Sequence, residues 1–317
     1  MFNKQIKRAD QELLYAALCD GEKAEKAWLA WRAGLDFDQS GPRYAPLIPL
    51  LHQNLALLGI QDPLMGKFKG IHRRTWYKNQ LRLRQVKSLL TLWNDNGIES
   101  ICLGDITLAS HYHTDLGLRP IQAFQFLIHR NQLVSTIQHV QKEGWKPTGK
   151  MKQRHIHRFI NPEGTRLNLY LHLFPTKFYS GEIDPFWDAK TSIQIHDISA
   201  YTLNPIDQLL HLCIQQPQKH FVHPLRIADA MTILRKPQIE FDWERLYTPS
   251  LRGYVQIRLY TYLYNLWKKY NAPIPEDVLN HLSTIHPLIR KVPNPILRFA
   301  FKYAEQEISD IPLSRFR

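Results

Sequence analysis

An α+β protein is predicted, with a small mixed β-sheet core set between helical regions. Two switches in hydrophobic period predict it. Apolar residues recur at helical spacing up to about Asn96, then give way to short apolar runs bounded by turns. From about Asn204 the helical spacing returns. The regions read as 1–96, an N-terminal helical region; 97–200, an α/β core; and 201–317, a C-terminal helical domain. A chain of 317 residues suits about two domains at roughly 150 residues each.

The elements follow in order. Asp10 is placed to cap a helix carrying Leu13, Leu14, Ala17 and Leu18. Gly41-Pro42 marks a loop, and Leu47 to Leu58 is an apolar, helix-compatible run ending near Gly59. Met65 to Asn94 has no proline and reads as one long amphipathic helix bearing Trp76, Leu81, Leu83, Val86, Leu89, Leu90 and Trp93. Ile98 to Leu103, closed by Gly104, reads as a buried strand, and Ile106 to Tyr112 as a helix against it. Phe124 to Ile128 is a second strand, and Gln132 to Glu143 a helix stopped by Gly144. His155 to Ile160, a turn at Asn161-Pro162-Glu163-Gly164, and Arg166 to Phe174 read as a hairpin. Asn204-Pro205 opens a helix with asparagine as cap and proline at the first helical position. Further helices are expected at Pro224–Leu234, Asp242–Leu246, Leu251–Tyr270 and Pro275–Leu282.

Composition excludes several classes. The chain is 44% hydrophobic and 22% charged, values of a globular protein rather than a disordered one. No apolar run approaches the ~20 residues of a membrane span, and the first residues lack the apolar core of a secretory leader. Cys19, Cys102 and Cys213 are few, dispersed and set in apolar segments. They read as small hydrophobes in a reducing, cytoplasmic setting, without a disulfide framework or metal site. The net charge of +13 favours anionic partners. Phosphate loops, dinucleotide fingerprints, nucleophile elbows and zinc-protease motifs are missing.

The stretch from Arg74 to Leu81 (Arg-Thr-Trp-Tyr-Lys-Asn-Gln-Leu), Gly97-Ile98, Leu103 and Leu108-Ala109 form a pattern with Asp115-Leu116-Gly117-Leu118-Arg119-Pro120. Leu127-Ile128, Gly144-Trp145, Leu171-His172, Leu209 to Leu212, Ala228-Asp229 and Asp242-Trp243-Glu244 extend it. This pattern resembles the uncharacterised nucleotidyltransferase family of bacteria, a branch of the polymerase-β-like superfamily. The resemblance implies a nucleotidyltransferase-like sheet. It also implies transfer of a nucleotidyl group by carboxylates that hold two divalent cations.

At the positions where the resemblance implies those carboxylates, the residues differ. The acid-x-acid pair falls on Ala123 and Gln125, the third acid on Tyr170, and a Lys-Gly pair on Gly104-Asp105. Magnesium needs hard oxygen ligands that alanine and an amide do not supply. The expectation is a site without metal or cofactor, lined by Gly104, Arg119, Ala123, Gln125, Asn168, His155 and His157, with Asp105, His172 and Tyr170 as candidate acid or base groups. Alternation sets His155 with His157 on one face, and Asn168, Tyr170 and His172 on one face. Asp105 reads equally as a helix cap, and Arg119 as its partner or that of Asp115. His111 and His113 make a weak metal pair.

Three functions remain in view. The first is a non-catalytic or repurposed protein binding an anionic or amide-bearing ligand, or an acidic peptide or protein, through the old cleft. The second is an enzyme with metal-independent chemistry there. The third is a basic nucleic-acid-binding module, less favoured. It would use Lys67, Lys69, Arg73, Arg74, Lys78, Arg82, Arg84 and Lys87 with Trp76 and Tyr77, and a second basic stretch of Lys146, Lys150, Lys152, Arg154 and Arg158.

Overall fold

The computed structural model describes residues 2–34, 44–148, 155–174, 185–214, 224–237, 239–247 and 253–290. Gly41-Pro42, Lys150, Lys152, Arg154 and Leu251 lie outside them. Two compact units emerge: Met1–Leu173 with Trp187–Leu203, and Phe174–Phe186 with Asn204–Arg317.

The first unit opens with helices α1 (Phe2–Leu18), α2 (Gly21–Ala33), α3 (Ile48–Leu57) and α4 (Met65–Asp95). Asp10 does not cap α1. The helix begins eight residues earlier and holds Asp10 buried in its middle. The C-terminal end of α1 is closed from outside, by Asn54 Nδ2 donating to the carbonyls of Ala16 and Cys19 at 2.8 Å each. Trp28 packs edge-on against Phe68 of α4 at 6.0 Å, which ties the opening helices to the long one.

One seven-stranded mixed sheet follows, in the order β3-β4-β5-β2-β1-β7-β6. Its strands are β1 (Ser100–Cys102), β2 (Ala123–Ile128), β3 (Lys146–Pro147), β4 (Ile156–Ile160), β5 (Arg166–Tyr170), β6 (Thr191–Ile195) and β7 (Ile198–Thr202). β2 runs parallel to β5, and β1 parallel to β7; the other neighbours are antiparallel. Between β1 and β2 lies α5, α-helical over Asp105–Thr107 and π-helical over Leu108–Tyr112. Between β2 and β3 lies α6 (Leu133–Lys142). The core gathers Leu83, Val86, Leu89, Leu90 and Trp93 of α4 with Phe124, Phe126, Leu167, Leu169 and Phe159 of the sheet. Trp93 meets Phe126 edge-on at 4.8 Å. One sheet face is thereby covered by α4.

The second unit holds α7 (Pro205–Ile214), α8 (Pro224–Leu234), α9 (Gly253–Tyr270) and α10 (Glu276–Arg290). Asn204 caps α7 as its residue type demands: its Oδ1 accepts from the Asp207 N–H at 2.9 Å. Buried Asp207 pairs with Arg245 at 2.7 Å. Cys19, Cys102 and Cys213 are buried, as their apolar settings predict. Among the described residues no helix is long and apolar enough to cross a membrane.

Candidate functional site

The uncovered face of the sheet is built by register. Directly paired residues on adjacent strands share a face. The first row across the sheet is Lys146, Ile160, Arg166 and Ala123. The second is Arg158, Asn168 and Gln125, and the third is Ile156, Tyr170, Leu127 and Ile101. Ala123, Gln125 and Tyr170 therefore stand on one face of two neighbouring strands. The third row is largely closed, with Tyr170, Leu127 and Ile101 buried. The first two rows are more open: Lys146, Ile160, Arg158 and Arg166 are exposed and Gln125 and Asn168 half-buried, while Ala123 is buried.

The loop before β2 is held by α4 through side chains that the basic, apolar pattern of that helix conceals. Asn79 is fully buried. Its Nδ2 donates to the carbonyls of Leu116 (2.7 Å) and Arg119 (2.8 Å), and its Oδ1 accepts from the Ile121 N–H (2.9 Å). His72 Nε2 lies 2.7 Å from Asp115 Oδ2, while Asp115 Oδ1 accepts from the Gly117 N–H. Gly117 leaves room for the imidazole, because a Cβ there would sit 2.4 Å from His72 Nε2 and displace it. Arg82 Nη1 donates to the Ile121 carbonyl. The resemblance-bearing segments around Asn79 and from Asp115 to Pro120 thus meet as one clasp.

Asp105 completes the clasp. Its Oδ1 accepts from Arg119 Nη2 at 2.7 Å, and its Oδ2 accepts from the N–H groups of Gln122 (2.7 Å) and Ala123 (3.2 Å). Asp105 is not the cap of its own helix. That position belongs to Gly104, and the Asp105 carboxylate caps the incoming strand β2 instead. Arg119 is buried and also donates to the Pro120 carbonyl, so it is committed inward. Gly104 has φ 56° and ψ −123°, a backbone open to glycine. Gln125 lies over it: a Cβ on Gly104 would stand 2.6 Å from Gln125 Oε1. That oxygen is buried and has no hydrogen-bond partner among the described residues.

The two hairpin histidines do not join this face. His157 pairs in register with Leu169, opposite the Asn168–Tyr170 side, and is 8% exposed. Because strand parity is strict, a position odd relative to Asn168 and Tyr170 must point the other way. His155 precedes β4, is exposed, and its carbonyl accepts from the Leu171 N–H. His172 lies two residues beyond the end of β5 and is half-buried. Sequence reasoning passed over Arg166, although its spacing of two from Asn168 put it on the same face. Arg82 carried no such signal, because its place here depends on how α4 crosses the sheet.

At these positions Ala123 carries no side-chain oxygen, Gln125 and Asn168 are neutral amides, and Asp105 accepts from Arg119, Gln122 and Ala123. Among the described residues no three His, Cys, Asp or Glu side chains gather as a metal site. The outer face of α4 is separate, with Trp76 46% and Tyr77 61% exposed amid Arg73, Arg74, Lys78 and Arg84.

Residues 43–265 match the family described as uncharacterised nucleotidyltransferase, and the chain belongs to that family. A comparison with curated proteins finds no match. Among solved structures the chain is similar to the lincosamide antibiotic adenylyltransferase LnuA, lincomycin-bound. Identity there is 11%, with 47% of this chain and 94% of that one covered and a TM-score of 0.38. It is also similar to an antigenic nucleotidyltransferase-like protein from Paracoccidioides brasiliensis, at 17% identity, 62% and 91% coverage and a TM-score of 0.39. Both likenesses are distant ones of fold.

Proposed function

We propose that this chain is a nucleotidyltransferase-fold protein turned to binding: it holds a ligand or partner on the open sheet face and does not carry out metal-dependent nucleotidyl transfer. One observation carries the reading. Ala123, Gln125 and Tyr170 share the face where the family resemblance implies metal-holding acids, and Asp105 beside it is consumed by Arg119 and two backbone N–H groups. The rival reading, metal-independent catalysis by Asp105, His172 and Tyr170, fits less well. Asp105 is paired with the Arg119 guanidinium and accepts two backbone N–H groups, and such stabilisation of the carboxylate weakens it as a general base. The +13 charge favours an anionic ligand or an acidic protein partner.

Calorimetric titration with ATP, GTP, CTP and UTP, each with and without magnesium, tests the proposal. Binding that magnesium does not strengthen, or no binding, is expected. Tight binding that requires magnesium overturns it and restores the transferase reading.

A further inference from the structure

We propose that the open rows of this face bind a phosphate chain without a divalent cation, with guanidinium groups meeting the charge that metal ions would otherwise meet. The inference rests on the reading of the face as a repurposed cleft. Its argument is the sign and spacing of the side chains around Ala123 and Gln125.

Arg166 stands directly beside Ala123 in the parallel β2–β5 register, and Arg158 stands beside Asn168, which is itself beside Gln125. Arg158 and Arg166 are thus diagonal neighbours on one face of adjacent strands, close enough for both to touch one phosphate chain. Both are exposed, and neither has an acidic partner among the described residues. Arg82 lies within electrostatic reach of Arg166 and Asp105, anchored by its bond to the Ile121 carbonyl. Lys146 adds a cation at the end of the first row. Of the carboxylates near these rows, Asp105 is balanced by Arg119 at 2.7 Å, and Glu163 in the β4–β5 turn accepts from Gln85 of α4. The face is therefore net positive without any ion, and guanidinium forks match phosphate oxygens in geometry as well as charge. A divalent cation added to it would be repelled.

Gln125 and Asn168 supply the neutral part. Both amides are half-buried beside these cations, and an amide can exchange hydrogen bonds with a ligand hydroxyl or amino group. A nucleotide carries both parts, a phosphate chain and such donors, whereas inorganic polyphosphate carries only the first.

The experiment titrates the full chain with ATP and, separately, with inorganic tripolyphosphate, in EDTA and then in magnesium. Binding of ATP alone in EDTA supports the proposal with a nucleotide as ligand. Binding of both supports it with the phosphate chain sufficient. Arg158→Glu and Arg166→Glu are each expected to weaken binding about tenfold, and Arg166→Lys less. Both positions are exposed, so the variants should keep the parent circular dichroism and melting temperature. Arg84→Glu, an equal charge change on the outer face of α4, should leave affinity unchanged. Equal weakening by Arg84→Glu means unspecific attraction to a basic protein and overturns the proposal. No binding of either probe in EDTA or magnesium overturns it too, while leaving the repurposed cleft standing. Binding that appears only with magnesium overturns both.

Discussion

At the residue scale, the site depends on atoms with no slack. Asn79 makes three hydrogen bonds from one buried amide. Asn79→Leu, similar in volume, would leave two carbonyls and one N–H unpaired, and is expected to cost about 2–4 kcal/mol in urea unfolding. Gly104→Ala meets two separable penalties, a strained φ and the contact with Gln125. Substituting Gln125→Ala in the same chain should return the contact part and leave a backbone cost of about 1–3 kcal/mol. If the double variant is no more stable than Gly104→Ala alone, Gln125 does not lie over Gly104. Asp105 belongs with these: its carboxylate joins Arg119 of the loop to the first two N–H groups of the β2 entry, a structural duty that the residue type alone does not announce.

At the element scale, α4 does two jobs on different sides. Leu83, Val86, Leu89, Leu90 and Trp93 cover the sheet, while Arg74 and Lys78 are exposed and Arg82, four residues on, is half-buried toward the Ile121 carbonyl. Residues four apart on a helix are neighbours, so these cations repel. Repulsion from Arg74, then burial, then Arg82, holds the Lys78 ammonium below its ordinary range. Lys78→Glu would turn both repulsions into attractions. A gain of up to about 1 kcal/mol is expected at low salt and should shrink as salt rises. A melting temperature that does not move between low and high salt would count against a purely electrostatic origin. The long helix itself was legible, because nothing interrupts its apolar spacing. The hairpin β6–β7 was not. Its exposed Thr191, Ser192 and Gln194 dilute the alternation, and its tight turn carries a positive φ at His196 where a glycine would have been the usual signal.

At the scale of the whole molecule, two buried or half-buried histidines bear on the response to acid. His211 is fully buried in α7, and burial first, then Arg226, lowers its pKa from 6.5 to about 3. His52 in the other unit is also lowered, by burial, His72 and Lys69 in that order. A histidine whose folded pKa lies below its unfolded one takes up its proton only after unfolding. Its contribution is therefore whole above about pH 6.5 and is lost as the pH falls toward about 3. For His211 the slope approaches about 1.4 kcal/mol per pH unit across that window. Urea midpoints measured at pH 7.5 and pH 5 should differ accordingly, and His211→Gln should flatten the difference. An unchanged slope in that variant would assign the acid response elsewhere.

The sequence by itself determined the α+β class, the long basic helix, the β4–β5 hairpin, the capped start of α7 and the family resemblance. Each of these is written in local spacing or residue type, and local spacing survives without knowledge of neighbours. It also named Ala123, Gln125 and Tyr170 as one set. Only the tertiary structure decided that Asp105 closes on Arg119 and on the entry to β2, that His157 turns away from the Asn168–Tyr170 face, that Arg82 reaches the Ile121 carbonyl, and that Arg158 and Arg166 come to stand diagonally on one face. Those facts depend on strand register and on how α4 crosses the sheet. A shift of one residue in register would exchange the core face for the open one, and no single segment of the chain specifies that choice.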